Sequence, residues 1–300
     1  MSVKKIGLVL SLIVIGFSLV WAGTTQAPEI DQKKQEAVAI TLPKTDYRIE
    51  DRDIQDGVRK LKGQIYIPAS KNKVPLIIFA HGFNGSYRQG RVYAELLASR
   101  GYAVYLFDFV HGGPRSQSTS NAKELTITSQ VEDLESVLKM SQEWTEIEPN
   151  QTSFFGISQG GLVASLVASQ EPAKVKNLLL MYPAFVISEL PHQIYDSLDQ
   201  IPEQSKIFDH FDMEISSNYL LDVWPIHIYS ELAKYPGPVL ILHGNQDEIV
   251  PFSYSEKARP YLQNGQVQII DGAGHDFSGD YFPNVRYPIL KFLQENQDGK

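Results

Sequence analysis

The sequence contains no cysteine, and this absence removes several kinds of chemistry. Without thiols the chain cannot build a disulfide framework, a thiolate zinc site or an iron–sulfur cluster, and it cannot use a cysteine nucleophile. It also lacks the cysteine that carries the lipid of a bacterial lipoprotein. Hydrolysis by a hydroxyl nucleophile remains open.

Basic side chains are also in the minority. The chain has 27 lysines and arginines against 35 acidic residues, which gives a formal net charge of −8. Proteins that hold nucleic acid through its phosphates need a basic surface, so this balance argues against a nucleic-acid partner. The 300 residues, of which 43% are hydrophobic, suffice to bury the core of one large domain.

A long apolar run occurs at the N-terminus, where Lys4 and Lys5 precede residues 6–22. A basic start, an apolar middle and small residues at the end are typical of a secretory signal peptide, here residues 1–22. The alternative is an uncleaved membrane anchor, because the run is at the lower limit of a bilayer-spanning helix. In both cases we expect the protein outside the cytoplasm, either secreted or attached to the outer face of the membrane. The polar residues 23–45 are then a tether.

Beyond the tether, apolar runs typical of strands alternate with helical patterns. The predicted strands are Val58–Pro68, Pro75–Ala80, Ala103–Phe107, Thr152–Phe155, Val175–Met181, Pro238–Leu242 and Val267–Ile270. Between them, a capping box formed by Ser129 and Glu132 predicts the start of one helix, and Gly160–Ser169 predicts another. Strands separated by helices indicate βαβ units. The predicted fold class is therefore α/β, a mostly parallel sheet flanked by helices, over residues 46–300.

Residues 184–237 interrupt this alternation. The segment is too long for a simple loop and is rich in aromatic residues, among them Phe185, Tyr195, Phe208, Phe211, Tyr219, Trp224 and Tyr229. We interpret it as a cap over a binding cleft. The alternative is a helical excursion whose aromatic side chains fill a small core of their own.

A G-x-S-x-G pattern at residues 156–160 lies between a predicted strand and a predicted helix. This setting is what a nucleophile elbow requires. The tight turn forces Ser158 into strained backbone angles, and side chains at positions 156 and 160 would collide, which explains the two glycines. The pattern predicts Ser158 as a nucleophile.

A serine hydroxyl needs a base, and the base needs an orienting carboxylate. His275 lies in a glycine-rich loop after the last predicted strand, and it is the predicted base. Asp247 follows the Pro238–Leu242 strand, at the edge of a parallel sheet where functional groups gather, and it is the predicted acid. Its competitors are Glu248, Asp271 and Asp276. His243, at the end of its strand, is predicted to be structural.

The tetrahedral intermediate of such a reaction needs two backbone N–H donors. We predict that Gln159, which follows the nucleophile, supplies one, and that Phe83, in the loop after Pro75–Ala80, supplies the other. A rival loop at residues 111–114 follows the next strand and is predicted to form a turn at the rim of the cleft. The predicted substrate contacts are His81, Tyr182 and Trp224. The histidines are not spaced as metal ligands, so we predict neither a metal nor an organic cofactor.

Four motifs together resemble the α/β-hydrolase family, in its order and spacing. They are His-Gly-Phe at 81–83, the elbow at 156–160, His-Gly-x-x-Asp-x-x-Val-Pro at 243–251 and Gly-Ala-Gly-His at 272–275, and the resemblance covers roughly residues 55–297. Within the family the chain looks most like the small-ester and cinnamoyl (feruloyl) esterase-like group. It departs from that group at residues 110–116, where Gly-His-Gly-x-Ser is usual.

The resemblance implies the α/β-hydrolase fold, with the cap inserted before the catalytic acid. It also implies a serine-dependent carboxylic ester hydrolase that forms an acyl-enzyme on small or aromatic acyl esters. A lipase or a serine peptidase on the same fold is the nearer alternative. A non-catalytic extracellular binding module is the alternative of another class. The expected partner is a small-molecule ester, with membrane attachment only through the N-terminal segment.

Overall fold

The computed structural model describes residues 44–118, 121–202, 213 and 215–297. The predicted signal peptide and nearly all of the predicted tether lie outside these residues. Across the described ranges, no helix combines the length and the apolar character that a membrane crossing needs.

The core of the fold is an eight-stranded sheet in the order β1-β4-β6-β5-β7-β8-β9-β10. Strands β1 and β4 pair antiparallel, β4 pairs antiparallel with β6, and the rest are parallel, as predicted for βαβ units. The strands of the chain are β1 (Tyr47–Asp51), β2 (Ile54–Asp56), β3 (Arg59–Leu61), β4 (Gly63–Pro68), β5 (Val74–Ala80), β6 (Ala103–Phe107), β7 (Ile147–Ile157), β8 (Leu178–Met181), β9 (Pro238–Gly244) and β10 (Asn264–Ile270).

Helices cover both faces of this sheet. They are α1 (Arg91–Ala98), α2 (Ile127–Ser141), α3 (Gln159–Gln170), α4 (Leu190–Ile194), α5 (Asn218–Val223), α6 (Ile228–Leu232), α7 (Ser253–Ala258) and α8 (Phe282–Glu295). Single turns of 3-10 helix lie at Tyr87–Gly90, Ala122–Glu124, Phe185–Ser188, Leu198–Gln200 and Arg259–Tyr261. Helices α1 and α8 pack on one face, and α2 and α3 pack on the other.

Strand β5 shows why the central strands are apolar throughout. Leu76 and Ile78 face the core under α2 and α3, whereas Ile77 and Phe79 face the core under α1 and α8. Because a strand alternates its side chains between two faces, burial on both faces requires an unbroken apolar run. Each such side chain contributes about 1.5–3 kcal/mol when it leaves water.

The single predicted strand Val58–Pro68 is wrong, because the chain leaves the ladder at Lys62. The N–H of Lys62 donates to Ser118 Oγ at 2.9 Å, and its carbonyl accepts from the N–H of Asp108 at 2.9 Å. The residues before Lys62 form β3, which pairs with β2 in a separate hairpin, and only β4 joins the main sheet.

The predicted capping box of Ser129 and Glu132 is wrong, because helix α2 begins before Ser129, at Ile127. Thr126 is the N-cap: its Oγ1 accepts the N–H of Ser129 at 2.9 Å, and its own N–H donates to Ser129 Oγ at 3.2 Å. Ser129 therefore stands at the third position of the helix rather than before it. The helix buries the apolar side chains of Val131, Leu134, Val137 and Leu138.

The 184–237 segment forms the 3-10 turns at 185–188 and 198–200 and the helices α4, α5 and α6, with residues 203–212 and 214 outside the described part. Helix α5 packs on α2, and α6 packs on α3. Phe185, Tyr219 and Tyr229 are buried in the main core on that face, so these aromatic side chains pack the domain rather than line open space. A cap function of the segment stays a prediction.

Candidate active site

Ser158 occupies a strained turn between β7 and α3. Its backbone lies at φ 50° and ψ −123°, outside the region that a residue with a side chain prefers, at a cost of about 1–3 kcal/mol. Surrounding bonds hold the turn: the N–H of Ser158 donates to the Met181 carbonyl at 3.1 Å, and its own carbonyl accepts from the N–H groups of Gly161 and Ala184, each at 2.9 Å. The turn presents the serine hydroxyl at the carboxyl edge of the sheet.

Glycines make room for this turn, as predicted. A Cβ on Gly156 would lie 2.5 Å from the Gly160 carbonyl oxygen, and a Cβ on Gly160 would lie 2.1 Å from the Ala80 carbonyl oxygen. A third glycine, Gly82, lets the loop after β5 lie against Ser158, because a Cβ there would lie 3.2 Å from the Cβ of Ser158.

The structure brings Ser158, His275 and Asp247 into one hydrogen-bonded line. The Ser158 hydroxyl faces His275 Nε2 at 3.0 Å, and His275 Nδ1 faces Asp247 Oδ2 at 2.7 Å. The Asp247 side chain is 0% exposed and the His275 side chain is 16% exposed, while Ser158 is partly exposed. The line therefore runs from a buried carboxylate to a hydroxyl that a substrate can reach.

The Asp247 carboxylate accepts four hydrogen bonds. Oδ1 takes the N–H groups of Ile249 (2.9 Å) and Val250 (2.8 Å), and Oδ2 takes His275 Nδ1 and, at 3.1 Å, His243 Nε2. Burial opposes ionisation, but the hydrogen bonds from His243 and His275 outweigh it and hold the pKa of Asp247 well below its usual range. The aspartate is therefore an anion beside the imidazole.

The three competing acids have other positions. Glu248, Asp271 and Asp276 are exposed. Asp271 accepts from the Asn245 amide at 2.7 Å, and Asp276 accepts from the Ser278 N–H at 2.8 Å. Neither of these bonded aspartates supports His275.

His243, predicted to be structural, supports the Asp247 carboxylate. Its ring is fully buried, and Nε2 lies 3.1 Å from Asp247 Oδ2 and 2.9 Å from the Val250 carbonyl oxygen. Both partners only accept, so Nε2 carries the proton and donates to them. Nδ1 lies 2.7 Å from the Ser255 hydroxyl. The sequence signal for this role is the position of His243 at the end of β9, four residues before Asp247.

Tyr182, a predicted substrate contact, packs against the ring of His275, and its contact with a substrate stays a prediction. The side chain is buried, with its ring centroid 4.5 Å from that of His275 and 5.0 Å from that of Phe277. Its backbone has φ 37°, and its N–H donates to the Leu242 carbonyl at 2.7 Å. Tyr182 therefore packs behind the imidazole and limits its rotation.

His81 is also turned inward, so its predicted substrate contact is wrong. The residue is 1% exposed, the Phe109 N–H donates to its Nε2 at 3.2 Å, and its Nδ1 donates to the Gly82 carbonyl at 2.8 Å. Burial lowers the pKa of His81 and favours the neutral ring that these two bonds require. His81 fixes the loop that carries Phe83.

Trp224 lies at the end of α5, partly buried. Its ring centroid is 4.1 Å from that of His192, whose Nε2 donates to the Trp224 carbonyl at 2.9 Å. His192 also lines a surface cavity of about 390 Å³ together with His227 and Tyr229, and Ser158 is not part of that lining. Contact of Trp224 with a substrate stays a prediction.

The two predicted N–H donors belong to residues that follow Ser158 and its neighbour Gly82 in the chain. Gln159 is the first residue of α3, and the N–H groups at the start of a helix have no partner within it. Phe83 follows Gly82, the residue that lies against Ser158, in a turn closed by a 3.0 Å bond from the Gly85 N–H to the Gly82 carbonyl. The rival loop packs beside this turn, since a Cβ on Gly112 would lie 3.4 Å from the His81 ring.

In the part of the chain that the structure describes, no three histidine, aspartate or glutamate side chains are grouped closely enough to hold a metal ion.

Comparisons with known proteins agree with this architecture. The family model described as serine aminopeptidase, S33, matches residues 71–219, and the model described as TAP-like protein matches residues 216–298. YfhR of Escherichia coli strain K12, whose function is uncharacterized, is 24% identical over 247 residues, which is 80% of this chain and 78% of YfhR.

Solved structures show the same fold. Est1E from Butyrivibrio proteoclasticus with bound ferulic acid has a TM-score of 0.74 and 25% identity, over 82% of this chain and 99% of Est1E. Monoacylglycerol lipase from Paleococcus ferrophilus has a TM-score of 0.60 and 19% identity, over 76% of this chain and 98% of the lipase. With its sheet order, its strained serine turn and these matches, the chain belongs to the α/β-hydrolase family.

Proposed function

We propose that this α/β hydrolase is a serine-dependent carboxylic ester hydrolase with Ser158 as nucleophile, His275 as base and Asp247 as orienting acid. The observation that carries the proposal is the hydrogen-bonded line of 3.0 Å and 2.7 Å that ends on a strained, partly exposed serine. A serine, a histidine and a buried carboxylate in this geometry act together in nucleophilic acyl transfer.

The first half of the reaction acylates the serine. Ser158 Oγ forms a bond to the ester carbonyl carbon while His275 Nε2 accepts the hydroxyl proton. Asp247 stabilises the imidazolium, and the N–H groups of Gln159 and Phe83 donate to the oxyanion. When the tetrahedral adduct collapses, the bond to the leaving oxygen breaks, and His275 returns its proton to that oxygen, which departs as the alcohol.

The second half releases the acid. A water molecule gives a proton to His275 Nε2 and attacks the acyl carbon, and the adduct collapses with departure of Ser158 Oγ, which takes the proton back. Tyr182 behind the imidazole and His243 on the carboxylate keep both groups aligned through the cycle.

Small or aromatic acyl esters are the proposed substrates. The similarity to Est1E, whose structure holds ferulic acid, supports this choice. The family model described as serine aminopeptidase and the similarity to a monoacylglycerol lipase support the two alternatives on the same fold, peptide hydrolysis and hydrolysis of long-chain acyl esters.

A substrate panel tests the proposal on the full chain. It compares nitrophenyl acetate, methyl ferulate, a long-chain nitrophenyl ester and an aminoacyl nitroanilide, for the wild type, S158A and S165A. Ser165 is the matched control, because it is a buried serine of α3, the helix that follows Ser158, and its hydroxyl donates to the Gly161 carbonyl at 2.7 Å. We expect turnover of the first two substrates, a loss of at least about 10⁴-fold in kcat for S158A and unchanged activity for S165A.

Other outcomes select the alternatives. Preferred cleavage of the nitroanilide or of the long-chain ester would replace the esterase by a peptidase or a lipase. Undiminished activity in S158A would contradict the assignment of the nucleophile. No turnover of any substrate by folded wild-type protein would favour a non-catalytic binding module.

A further inference from the structure

Three buried polar side chains from three helices meet next to the nucleophile. The Tyr219 hydroxyl of α5 donates to Gln159 Oε1 of α3 at 2.6 Å, and Gln159 Nε2 donates to Gln130 Oε1 of α2 at 2.8 Å. Each of the three residues is at most 2% exposed. Helix α5 belongs to the 184–237 segment, so this chain of bonds connects that segment to the first residue after Ser158.

Apolar side chains could fill the same space without the need for partners. A buried polar group costs about 1–3 kcal/mol when its partner is lost, and a satisfied polar network is often no more stable than an apolar core. The contribution of the network is a fixed orientation of its side chains, because each hydrogen bond constrains both partners. Burial raises the pKa of Tyr219 well above its usual value, so its hydroxyl remains a donor.

Gln159 is the residue whose orientation matters. Its side chain and its N–H share one Cα, and that N–H is a proposed oxyanion donor. A second contact fixes the position of α5. Asp222 lies three residues after Tyr219, on the same side of the helix. Its carboxylate accepts the N–H of Thr128, in the first turn of α2, at 2.9 Å. Helix α5 is thus tied both to the start of α2 and to the start of α3.

We infer that Tyr219 is a positioning residue of the reaction. Its hydroxyl holds Gln159 so that the N–H of Gln159 lies where negative charge develops on the carbonyl oxygen. Through this bond the 184–237 segment sets the rate of the chemical step. The inference rests on the proposed function.

The test is Tyr219→Phe in the full chain, which removes the hydroxyl and keeps the ring. We expect kcat on nitrophenyl acetate to fall about 10-fold with KM changed less than about 2-fold, because a misplaced oxyanion donor weakens the transition state and not substrate binding. Complete loss of one such donor costs about 10²–10³-fold, and displacement costs less. The rate of phosphonylation by a fluorophosphonate should fall in parallel.

Tyr235→Phe is the matched control. Tyr235 lies in the same 184–237 segment and is equally buried, but its hydroxyl donates at 3.1 Å to the Val175 carbonyl, beyond the far end of α3. This variant loses a comparable hydrogen bond, so its melting temperature should fall about as much as that of Tyr219→Phe while kcat stays within about 2-fold of the wild type. Gln130→Leu removes the acceptor at the other end of the network. It should show the same loss of kcat, and it replaces Tyr219→Phe as the test if that variant does not fold.

Three results would overturn the inference. The first is an unchanged kcat in Tyr219→Phe, or in Gln130→Leu where Tyr219→Phe does not fold. The second is an equal loss of kcat in Tyr235→Phe, which would show a general effect of stability. In both cases the proposed function stands as long as the wild type is active and labelled on Ser158. The third is failure of the wild type to be labelled there, which would overturn the proposed function as well.

Discussion

Asp247 divides its two oxygens between two tasks. Oδ1 is fixed by the N–H groups of Ile249 and Val250, and Oδ2 is shared by the partly exposed His275 and the fully buried His243. The two backbone hydrogen bonds set the angle of the carboxylate, and His243 binds Oδ2 from the buried interior. The carboxylate therefore meets His275 in one orientation, which selects the ring tautomer whose Nε2 carries no proton and faces the Ser158 hydroxyl.

Asp247→Asn should lower kcat on a short nitrophenyl ester by about 10⁴-fold. The amide keeps the shape of the side chain but can present an N–H group to His275, which favours the wrong tautomer. Steady-state kinetics measure the effect. Asp271→Asn is the control, because Asp271 lies near the same edge of the sheet and bonds Asn245. It should stay within about 2-fold of the wild type, and a similar loss in both variants would contradict the assignment of the acid.

At the scale of elements, the turn from β7 to α3 is held from several directions. The Met181 carbonyl of β8 accepts the N–H of Ser158, and the Ala184 N–H, at the start of the 184–237 segment, donates to the Ser158 carbonyl. The carbonyl of Ala80, the last residue of β5, lies close to Gly160 of α3. The strained angles of Ser158 persist because these neighbours determine them.

Gly160→Ala tests this packing. The new Cβ would lie 2.1 Å from the Ala80 carbonyl oxygen and 2.4 Å from the His81 carbonyl oxygen, and main-chain atoms of a central strand have little room to move. We expect at least about 10²-fold lower kcat and a free energy of unfolding lower by about 1–3 kcal/mol or more. Gly279→Ala is the control, because a Cβ there would meet no atom within 4 Å. A folded, fully active Gly160→Ala variant would contradict the packing argument.

The elements that the sequence predicted well are those with burial on both faces. Ala103–Phe107 matches β6 to the residue, since an unbroken apolar run has one interpretation in such a sheet. The break at Lys62 depends on Ser118 and Asp108, about 50 residues away, so no local pattern shows it. The cap of α2 lies at Thr126, three residues before the predicted Ser129, because the bonds between these two side chains and backbones decide where the helix begins.

The same distinction holds within the site. Chain order and strand ends were enough to predict Ser158, Asp247 and His275, which the structure brings together. The inward rotation of His81 depends on the N–H of Phe109, and the packing of Tyr182 depends on the ring of His275, nearly 100 residues later. Such supports arise from tertiary contacts, and the sequence gives no local sign of them.

The whole molecule carries an excess of acidic residues, and one of them is buried away from the site. Asp133 on α2 is 1% exposed. Burial raises its pKa to about 7, against the opposing effects of a 2.8 Å bond from the Val110 N–H and the nearby charge of Arg59. With no disulfide in the chain, folding stability depends on packing and on such ionisations.

The free energy of unfolding should therefore depend on pH through Asp133. A carboxyl with a higher pKa in the folded state binds its proton more tightly there. Its contribution is fully present below the unfolded pKa of about 3.9 and is lost as pH rises through about 7. Between about pH 5 and about pH 8, the wild type should lose on the order of 3 kcal/mol more than Asp133→Asn in denaturant titrations.

Asp56→Asn serves as the control for this titration, because Asp56 is a partly exposed carboxylate that lies 3.8 Å from Lys139 Nζ. It should keep the pH dependence of the wild type. If the free energy of unfolding of Asp133→Asn depends on pH as steeply as that of the wild type, Asp133 is not the cause of the dependence.

Covalent labelling by a fluorophosphonate, with the modified peptide identified by mass spectrometry, shows directly which residue is the nucleophile. We predict a single adduct on Ser158 in the wild type and in S165A, and none in S158A that remains folded by circular dichroism. An unlabelled wild type, or an adduct on another residue, would contradict the assignment of Ser158 as the nucleophile.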